Sequence, residues 1–370
     1  MATLTKGPTV RRWPLSPKGL GGLGLLALLA VGLTLGIKDN VCANSLTAWV
    51  GFTVTGFRLG AIYAMIALGY TMVYGVLQLL NFAHSEVFMV GSFAGLYTFS
   101  KLFGITNANH PDGVSGLYLV LVLALGLLFA ALASAGTAVA MERVAYRPLR
   151  RRGGSRLAYL ITAIGVSLFL SNLFLLLDGG RHLGLPFNWP AIGGAAPVEF
   201  PQVMHRVVVF KIVGVPVDNL TILVVLVSLG MLVALDLFVR RTRAGRGIRA
   251  VAEDPETASL MGVNINMIIV ITFFVGGLMA GGAGLLYGLF FGRAQFSMGF
   301  IPGIKAFTAA VLGGIGNIRG AVLGGILLGL IENLGVACTS TKWQTVIAFV
   351  VLVGVLMFRP TGLLGEQVAG

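Results

Sequence analysis

The four histidines, His84, His110, His182 and His205, are too scattered along the chain to make a metal cluster at any ordinary ligand spacing. His84 stands two residues before Glu86, which is how a zinc-deaminase motif begins, but the Pro-Cys-x-x-Cys that must complete such a site is missing. No Gly-x-x-x-x-Gly-Lys-Ser/Thr loop is present to cradle nucleotide phosphates, and no His-Glu-x-x-His helix to bind zinc. A Gly-x-Ser-x-Gly elbow that would expose a nucleophile is also missing. Cys42 and Cys338, the only cysteines, are far apart and match no metal spacing. The sequence therefore calls for no cofactor, no metal and no catalytic role in this chain.

What remains is polar residues set among apolar ones. Asn81-Phe82-Ala83-His84-Ser85-Glu86 interrupts two apolar runs, and Glu332 lies inside a third. Polar groups at membrane depth are expensive and by default mark a translocation path or its gate. Asn81, His84, Glu86 and Glu332 are therefore the candidate pathway residues. The Asn81 side chain can cap a following helix, and broken helices with exposed N-termini meet substrate carboxylates near the bilayer midplane. A 22-residue run, Leu59–Leu80, precedes Asn81, so a plain turn at the membrane surface fits equally well. Glu332 can pair across helices or line a pore. Lys305 and Arg319 lie near the ends of short runs, where long side chains snorkel to the interface, and they are set aside.

The elements that must position these residues follow from composition. Of 370 residues, 56% are hydrophobic and 11% charged, with a mean hydropathy of +0.92. A soluble domain carries about a quarter charged residues, and disorder needs low hydrophobicity with high charge; both are excluded. Apolar runs of roughly 20 residues recur throughout, the signature of a polytopic bundle. They are Gly19–Ile37, Leu59–Leu80, Val87–Phe103, Leu117–Met141, Leu160–Leu177, Leu220–Val239 and Ile265–Phe291. The shorter Ile301–Gly316, Gly320–Val336 and Val346–Phe358 follow. The fold class is all-α, a membrane helix bundle of about eight to ten spans at roughly 20 residues each. Ten is favoured over a re-entrant pair that would bring the count near eight. The first run is longer than a secretory core of about 7–15 residues and reads as an uncleaved anchor, although Val41-Cys42-Ala43 loosely matches a cleavage site.

The formal net charge of +13 has a positional explanation. Lys6, Arg11, Arg12 and Lys18 precede the first run; Arg143, Arg147, Arg150, Arg151, Arg152 and Arg156 crowd one loop; Arg240, Arg241, Arg243, Arg246 and Arg249 crowd another. With a cytoplasmic N-terminus, four crossings and then two more return the chain to the same side at both arginine loops, as the positive-inside rule demands. Topology, not nucleic acid, accounts for the basic residues. The expected organisation is a basic cytoplasmic tail (1–18), one transmembrane domain (19–359) and a cytoplasmic C-terminus (360–370). Residues 178–217 form an external loop, whose Val207–Val213 patch followed by Gly214 reads as a short hairpin strand. Residues 240–262 form a cytoplasmic loop. After its arginines, that loop reads as a short amphipathic helix, with Asp254 as cap, Pro255 at the first helical position and Gly262 as the stop. Glu253 precedes the cap, and Leu260 and Met261 supply apolar contacts. Glycines four apart, at Gly56/Gly60, Gly91/Gly95, Gly277/Gly281, Gly284/Gly288, Gly316/Gly320/Gly324 and Gly325/Gly329, read mostly as helix-packing devices.

Three blocks then carry a resemblance. Gly60-Ala61-Ile62-Tyr63-Ala64 through Ala67–Gly75 and Asn81-Phe82-Ala83-His84 is one. Ala252-Glu253-Asp254-Pro255-Glu256 with Leu260-Met261-Gly262 is the second. Lys305–Asn317 with Phe358–Gly365 is the third. Together they resemble the permeases of branched-chain amino acid ABC importers, the H-type subunit, over roughly Ala48 to Gly365. Ser85, where glycine is usual, and Asn317-Ile318-Arg319, where Ser-x-Pro is common, depart from the pattern. The resemblance implies a multi-pass protein of the bacterial inner membrane that works with a second permease subunit, two ABC ATPase subunits and a periplasmic substrate-binding protein. It also implies that Glu253, Asp254, Pro255, Leu260, Met261 and Gly262 contact an ATPase. Urea and short amides are carried by similar machines and stay open as cargo. A self-contained secondary transporter and a passive channel are the other readings of such a chain.

Overall fold

The computed structural model describes residues 45–79, 81–176, 196–359 and 361–365; the Gly19–Ile37 run, the basic tail and the first part of the 178–217 loop lie outside them. The described chain is built of helices, as the apolar runs require. These are α1 (Leu46–Leu77), α2 (His84–Tyr97), α3 (Gly116–Met141), α4 (Arg156–Leu176), α5 (Asn219–Arg241), α6 (Arg243–Glu253) and α7 (Pro255–Leu260). After them come α8 (Ile265–Phe291), α9 (Phe300–Gly313), α10 (Ile318–Val336) and α11 (Gln344–Phe358). Among the described residues, seven segments are long and apolar enough to cross a membrane, and α9 is a shorter apolar helix. The chain is a polytopic helical membrane protein.

The bundle has two recognisable ends. At one, Arg150 donates to the side chain of Asn266 at 2.9 Å, and Arg249 to the Val239 carbonyl at 2.6 Å, so the two arginine loops share that end. At the other, β2 (Val208–Ile212) and β3 (Val215–Asp218) form an antiparallel hairpin. Its turn, Val213-Gly214, has positive φ at both residues (49° and 83°), as a tight two-residue hairpin turn demands. The sequence patch therefore folds as read. A second strand pair at this end, β1 (Val198–Glu199) with β4 (Arg293–Ala294), has no legible pattern in two residues apiece.

Burial divides the helices into two classes. The apolar window of α1 is 89% buried and that of α8 78%, against 17% for α4 and 11% for α11. The central helices approach one another through glycine. Gly56 and Gly60 of α1 face Gly325 and Gly329 of α10, so closely that a Cβ at Gly60 would stand 2.9 Å from the Gly325 carbonyl oxygen. On α8, Gly277 and Gly281 meet Ala131, Ser134, Ala135 and Ala138 of α3, while Gly284 and Gly288 meet Phe88 and Ser92 of α2. Lipid gives apolar side chains no preference for each other, so backbone proximity must supply the attraction.

Two elements begin or end where periodicity gives no signal. α1 starts at Leu46, thirteen residues before the apolar run read from sequence, with the Ser45 hydroxyl accepting from the Ala48 N–H at 3.2 Å. The short α9 ends on carbonyls that residues near the C-terminus satisfy: Leu363 N–H donates to Leu312 O at 2.8 Å and Leu364 N–H to Gly313 O at 2.9 Å.

The glycine seam makes a direct prediction. Gly60→Leu forces α1 and α10 apart, and overpacking costs about 1–3 kcal/mol. Its melting temperature in detergent should fall, and less protein should reach the membrane. Gly136→Leu and Gly165→Leu, where the added side chain meets open space, should melt with the parent; equal melting of all three would refute the seam.

Candidate functional site

The break between α1 and α2 lies inside the bundle. Gln78, in a left-handed conformation (φ 51°), ends α1, and α2 begins again at His84. The His84 imidazole fills the space that a side chain on Gly69 would take, next to the Gly276 carbonyl. Gly69 is eight residues from the end of α1, and Gly276 eleven from the start of α8. At 1.5 Å per residue, His84 is about 12–16 Å in from the arginine-bearing end, near the middle of a hydrocarbon layer about 30 Å thick. The interruption therefore starts where α1 ends and carries the chain back among the helices.

Asn81 does something other than expected. The residue preceding α2 is Ala83, with no side-chain cap, and the Asn81 Oδ1 instead accepts a hydrogen bond from the Tyr146 hydroxyl at 2.8 Å. Asn81 sits two residues too early to reach the first-turn N–H groups, so it ties the interruption to the turn after α3. The ring of His84 meets Tyr70 edge-on at 4.9 Å, and its Nε2 is buried without a hydrogen-bond partner.

Glu86, in the first turn of α2, lines a cleft of about 500 Å³. Ser167 and Ser171 of α4, Ser297, and Tyr70, Phe82, Phe300 and Ile304 contribute to its walls. Ser167 donates to Glu86 Oε1 at 3.2 Å, whereas Oε2 has no hydrogen-bond donor and stands against Gly299. The second short helix starts here: after β4 the chain turns back into the bundle and α9 begins at Phe300, its cap position Gly299 packed on the Ser85 carbonyl. The first turns of α2 and α9 therefore meet at mid-depth and run to opposite ends. Ser85, the departure from the family pattern, is accommodated because Gly303 of α9 leaves room for its Cβ, and its hydroxyl donates to the Phe82 carbonyl at 2.8 Å.

Glu332 is not in this cleft. It is buried in α10, where Lys305 of α9 donates to its Oε2 at 3.0 Å and the Tyr63 hydroxyl of α1 does so at 3.3 Å. Lys305 does not snorkel: its side chain is buried with its counter-ion, close to the Tyr63 ring. Hydropathy treats a lysine in a short run as an edge residue; only the partner 27 residues away explains it as an interior one. A comparable pair, Arg58 with Asp218 at 3.4 Å, joins α1 to the hairpin, with the guanidinium 3.9 Å from the Phe290 ring centre.

At the arginine-bearing end, the 240–262 loop is two helices, not one. Thr242 caps α6, which includes the last three arginines and packs Ile248 and Val251 inward. Asp254 caps α7 by accepting from the Glu256 and Thr257 N–H groups at 2.9 and 3.2 Å. The Thr257 hydroxyl, which also donates to it, holds this carboxylate below its ordinary pKa, so the cap stays charged at neutral pH and weakens only as acid protonates it. Pro255 opens α7 and Gly262 (φ 83°) follows its end, as read. Leu260 and Met261 are 88% and 80% exposed, and Glu253 is the last residue of α6. Among the described residues no group of three or more His, Cys, Asp or Glu is placed to hold a metal ion.

Residues 52–356 match the family described as the branched-chain amino acid transport system permease component. The chain is 40% identical over 313 residues to the high-affinity branched-chain amino acid transport system permease protein LivH of Salmonella typhimurium, covering 84% of this chain and 94% of that one. Against BraD of Pseudomonas aeruginosa, also described as a high-affinity branched-chain amino acid transport system permease protein, it is 40% identical over 315 residues, with 85% and 94% covered. A probable LivH from Methanocaldococcus jannaschii is 26% identical over 220 residues, 60% of each chain.

The Lys305–Glu332 pair can be tested independently of any transport assay. Lys305→Met leaves a buried carboxylate unpaired, which costs about 3–5 kcal/mol, and the melting temperature should drop sharply. Adding Glu332→Leu removes the orphaned charge and should recover most of the loss. A double variant no more stable than the single one would show that the two residues do not act as a pair.

Proposed function

The chain belongs to the family of branched-chain amino acid transport permeases, and on that premise we propose that it forms half of the translocation path of an ATP-driven importer. Its arginine-bearing end then faces the cytoplasm and its hairpin end the outside of the bacterial inner membrane. The organisation into a cytoplasmic tail, a permease domain with an external loop at 178–217 and a coupling loop at 240–262, and a cytoplasmic C-terminus goes with this orientation. A second permease completes the path, two ATPase subunits supply the stroke, and a periplasmic binding protein delivers cargo.

One observation carries the reading: two adjacent large apolar side chains, Leu260 and Met261, stand exposed on a short capped helix at the arginine-bearing end. Lone exposed apolar residues need no explanation, but a pair at the tip of a rigid six-residue helix suits a socket on another protein. α6 anchors this lever to the core, with Gly247 against Ile268 at the start of α8. A push on α7 therefore reaches α8, and through its glycines α2 and α3. The cleft at Glu86 supports the path itself: a carboxylate buried among membrane helices is costly and by default marks a translocation route. Asn81 and His84 hold the break that shapes this cleft, and Glu332 secures α9 beside it. The apolar wall of Phe82, Phe300 and Ile304 favours an aliphatic amino acid over urea or a short amide.

Replacing Glu253, Asp254 and Met261 together should abolish ATP-dependent uptake in vesicles that contain the full set of subunits, while the chain still inserts into the membrane. Unchanged uptake would sink the coupling role. Uphill uptake by this subunit reconstituted alone would sink the importer reading and favour a secondary transporter.

A further inference from the structure

Residues 52–356 match the permease family, and the two cysteines fall on either side of where that match begins: Cys42 precedes it and Cys338 lies within it. Cys338 follows α10 in a tight turn, where its N–H donates to the Gly335 carbonyl at 3.3 Å. It is 5% exposed, and burial by itself is ordinary for a cysteine. What sets it apart is chemical: it is disulfide-bonded, and among the described residues no cysteine is free. Its end of the bundle is the hairpin end. α1 and α10 run antiparallel, with Gly60 against Gly325 and Gly56 against Gly329 and Asn333, so the end of α10 lies beside the start of α1. That start touches the hairpin, since Thr47 packs on Gly214 and Gly51 on Val215. The chain toward Cys42 departs from the same place, because Ser45 caps α1.

We propose that Cys338 is joined to Cys42, a disulfide that ties the segment before the family domain to the outer end of the α1–α10 seam. The reach is sufficient. At 1.5 Å per residue, Leu46 extends about 15 Å past Gly56 and Cys338 about 7 Å past Asn333, a difference in height of about 8 Å. Packed helix axes about 8–10 Å apart put the two positions about 11–13 Å from each other. The four residues from Leu46 back to Cys42 span up to about 13 Å, and a disulfide bridges about 4–7 Å more between Cα atoms. The position also suits the packing. Gly51, beyond Gly56, faces Val215 of the hairpin instead of α10, so the close contact of the two helices ends there. The cross-link fastens them at that point, near Gly335, which packs on Ile347 of α11. As the S–S bond closes, the two thiols give up two protons and two electrons. A disulfide oxidant of the external compartment takes them up and leaves as a dithiol. Such bonds persist outside the cytoplasm, so this inference rests on the orientation given above, with the hairpin end outward.

The test uses the full-length chain with a protease site inserted between Asn44 and Ser45, which separates the two cysteines in sequence. Free thiols are blocked with a maleimide, and the protein is cut in detergent without reductant. The N-terminal fragment should stay attached to the remainder and leave it only when reductant is added. Mass spectrometry should find the peptides of Cys42 and Cys338 linked, with the loss of two hydrogens. Cys42→Ser, Cys338→Ser and the double variant should all melt at one lower temperature, the temperature that reductant also imposes on the parent. A fragment that leaves without reductant overturns the proposal, as do two thiols that both take up maleimide or a cross-link between two copies of the chain. Orientation is read separately, with both native cysteines changed to serine and Val209→Cys added at an exposed hairpin position. This variant should label with a membrane-impermeant maleimide in intact spheroplasts. If it does so while Cys42 and Cys338 of the parent are free thiols, the disulfide fails alone. If it labels only after lysis, the orientation fails, and the external bond with it.

Discussion

Everything polar in this bundle depends on how closely its central helices approach. In lipid, apolar side chains gain nothing by leaving one another's company for acyl chains, so association rests on van der Waals contact between backbones. The glycines of α1, α8 and α10 provide it: at Gly60 and Gly325 the helix of one is surfaced by the peptide groups of the other. Once these three helices are fixed, α2 and α9 can be short. Neither has to hold itself in the membrane, because each is enclosed by helices that do. A bundle packed through leucine would stand its helices farther apart and leave water or lipid at the broken ends of α2 and α9.

The charged residues follow from the same enclosure. Lys305 and Glu332 neutralise each other where neither is solvated, and Tyr63 adds a donor from a third helix. Such a pair adds little net stability over well-packed apolar side chains, but it specifies which faces of α9 and α10 meet. Arg58 and Asp218 do the same between α1 and the hairpin. Glu86 differs in kind. Its neighbours are serines and a glycine, and among the described residues it has no ion-pair partner.

The helices were legible because their signals are summed over many residues. The run Ile265–Phe291 coincides with α8, and the glycines four apart fall on the contacts expected of them. The 240–262 loop was legible at Asp254, Pro255 and Gly262 because caps and stops are local chemistry. What escaped depends on partners distant in sequence. Lys305 reads as an interface residue until Glu332 is placed beside it. Asn81 reads as a cap until Tyr146, 65 positions away, is seen to take its side-chain oxygen. The depth of the break was open for the same reason: a run of 22 apolar residues says how far a chain can travel, not where its neighbours begin. The cleft opposite Glu86 had no sequence signal at all, since its far walls are Ser297, Phe300 and Ile304 and residues of α4, which no motif links to α2.

The segment 361–365 gives the chain an unusual closing architecture. Hydrogen bonds from Leu363 and Leu364 complete the last turn of α9, and Asn317 donates from its side chain to the Leu364 carbonyl at 2.8 Å. What looks like a trailing peptide is thus a clasp on the half-helix that floors the cleft. Shortening the protein to Phe358, or grafting a reporter directly onto that residue, would unfasten an interior element from its far side. Engineering handles belong beyond Gly365, clear of that clasp.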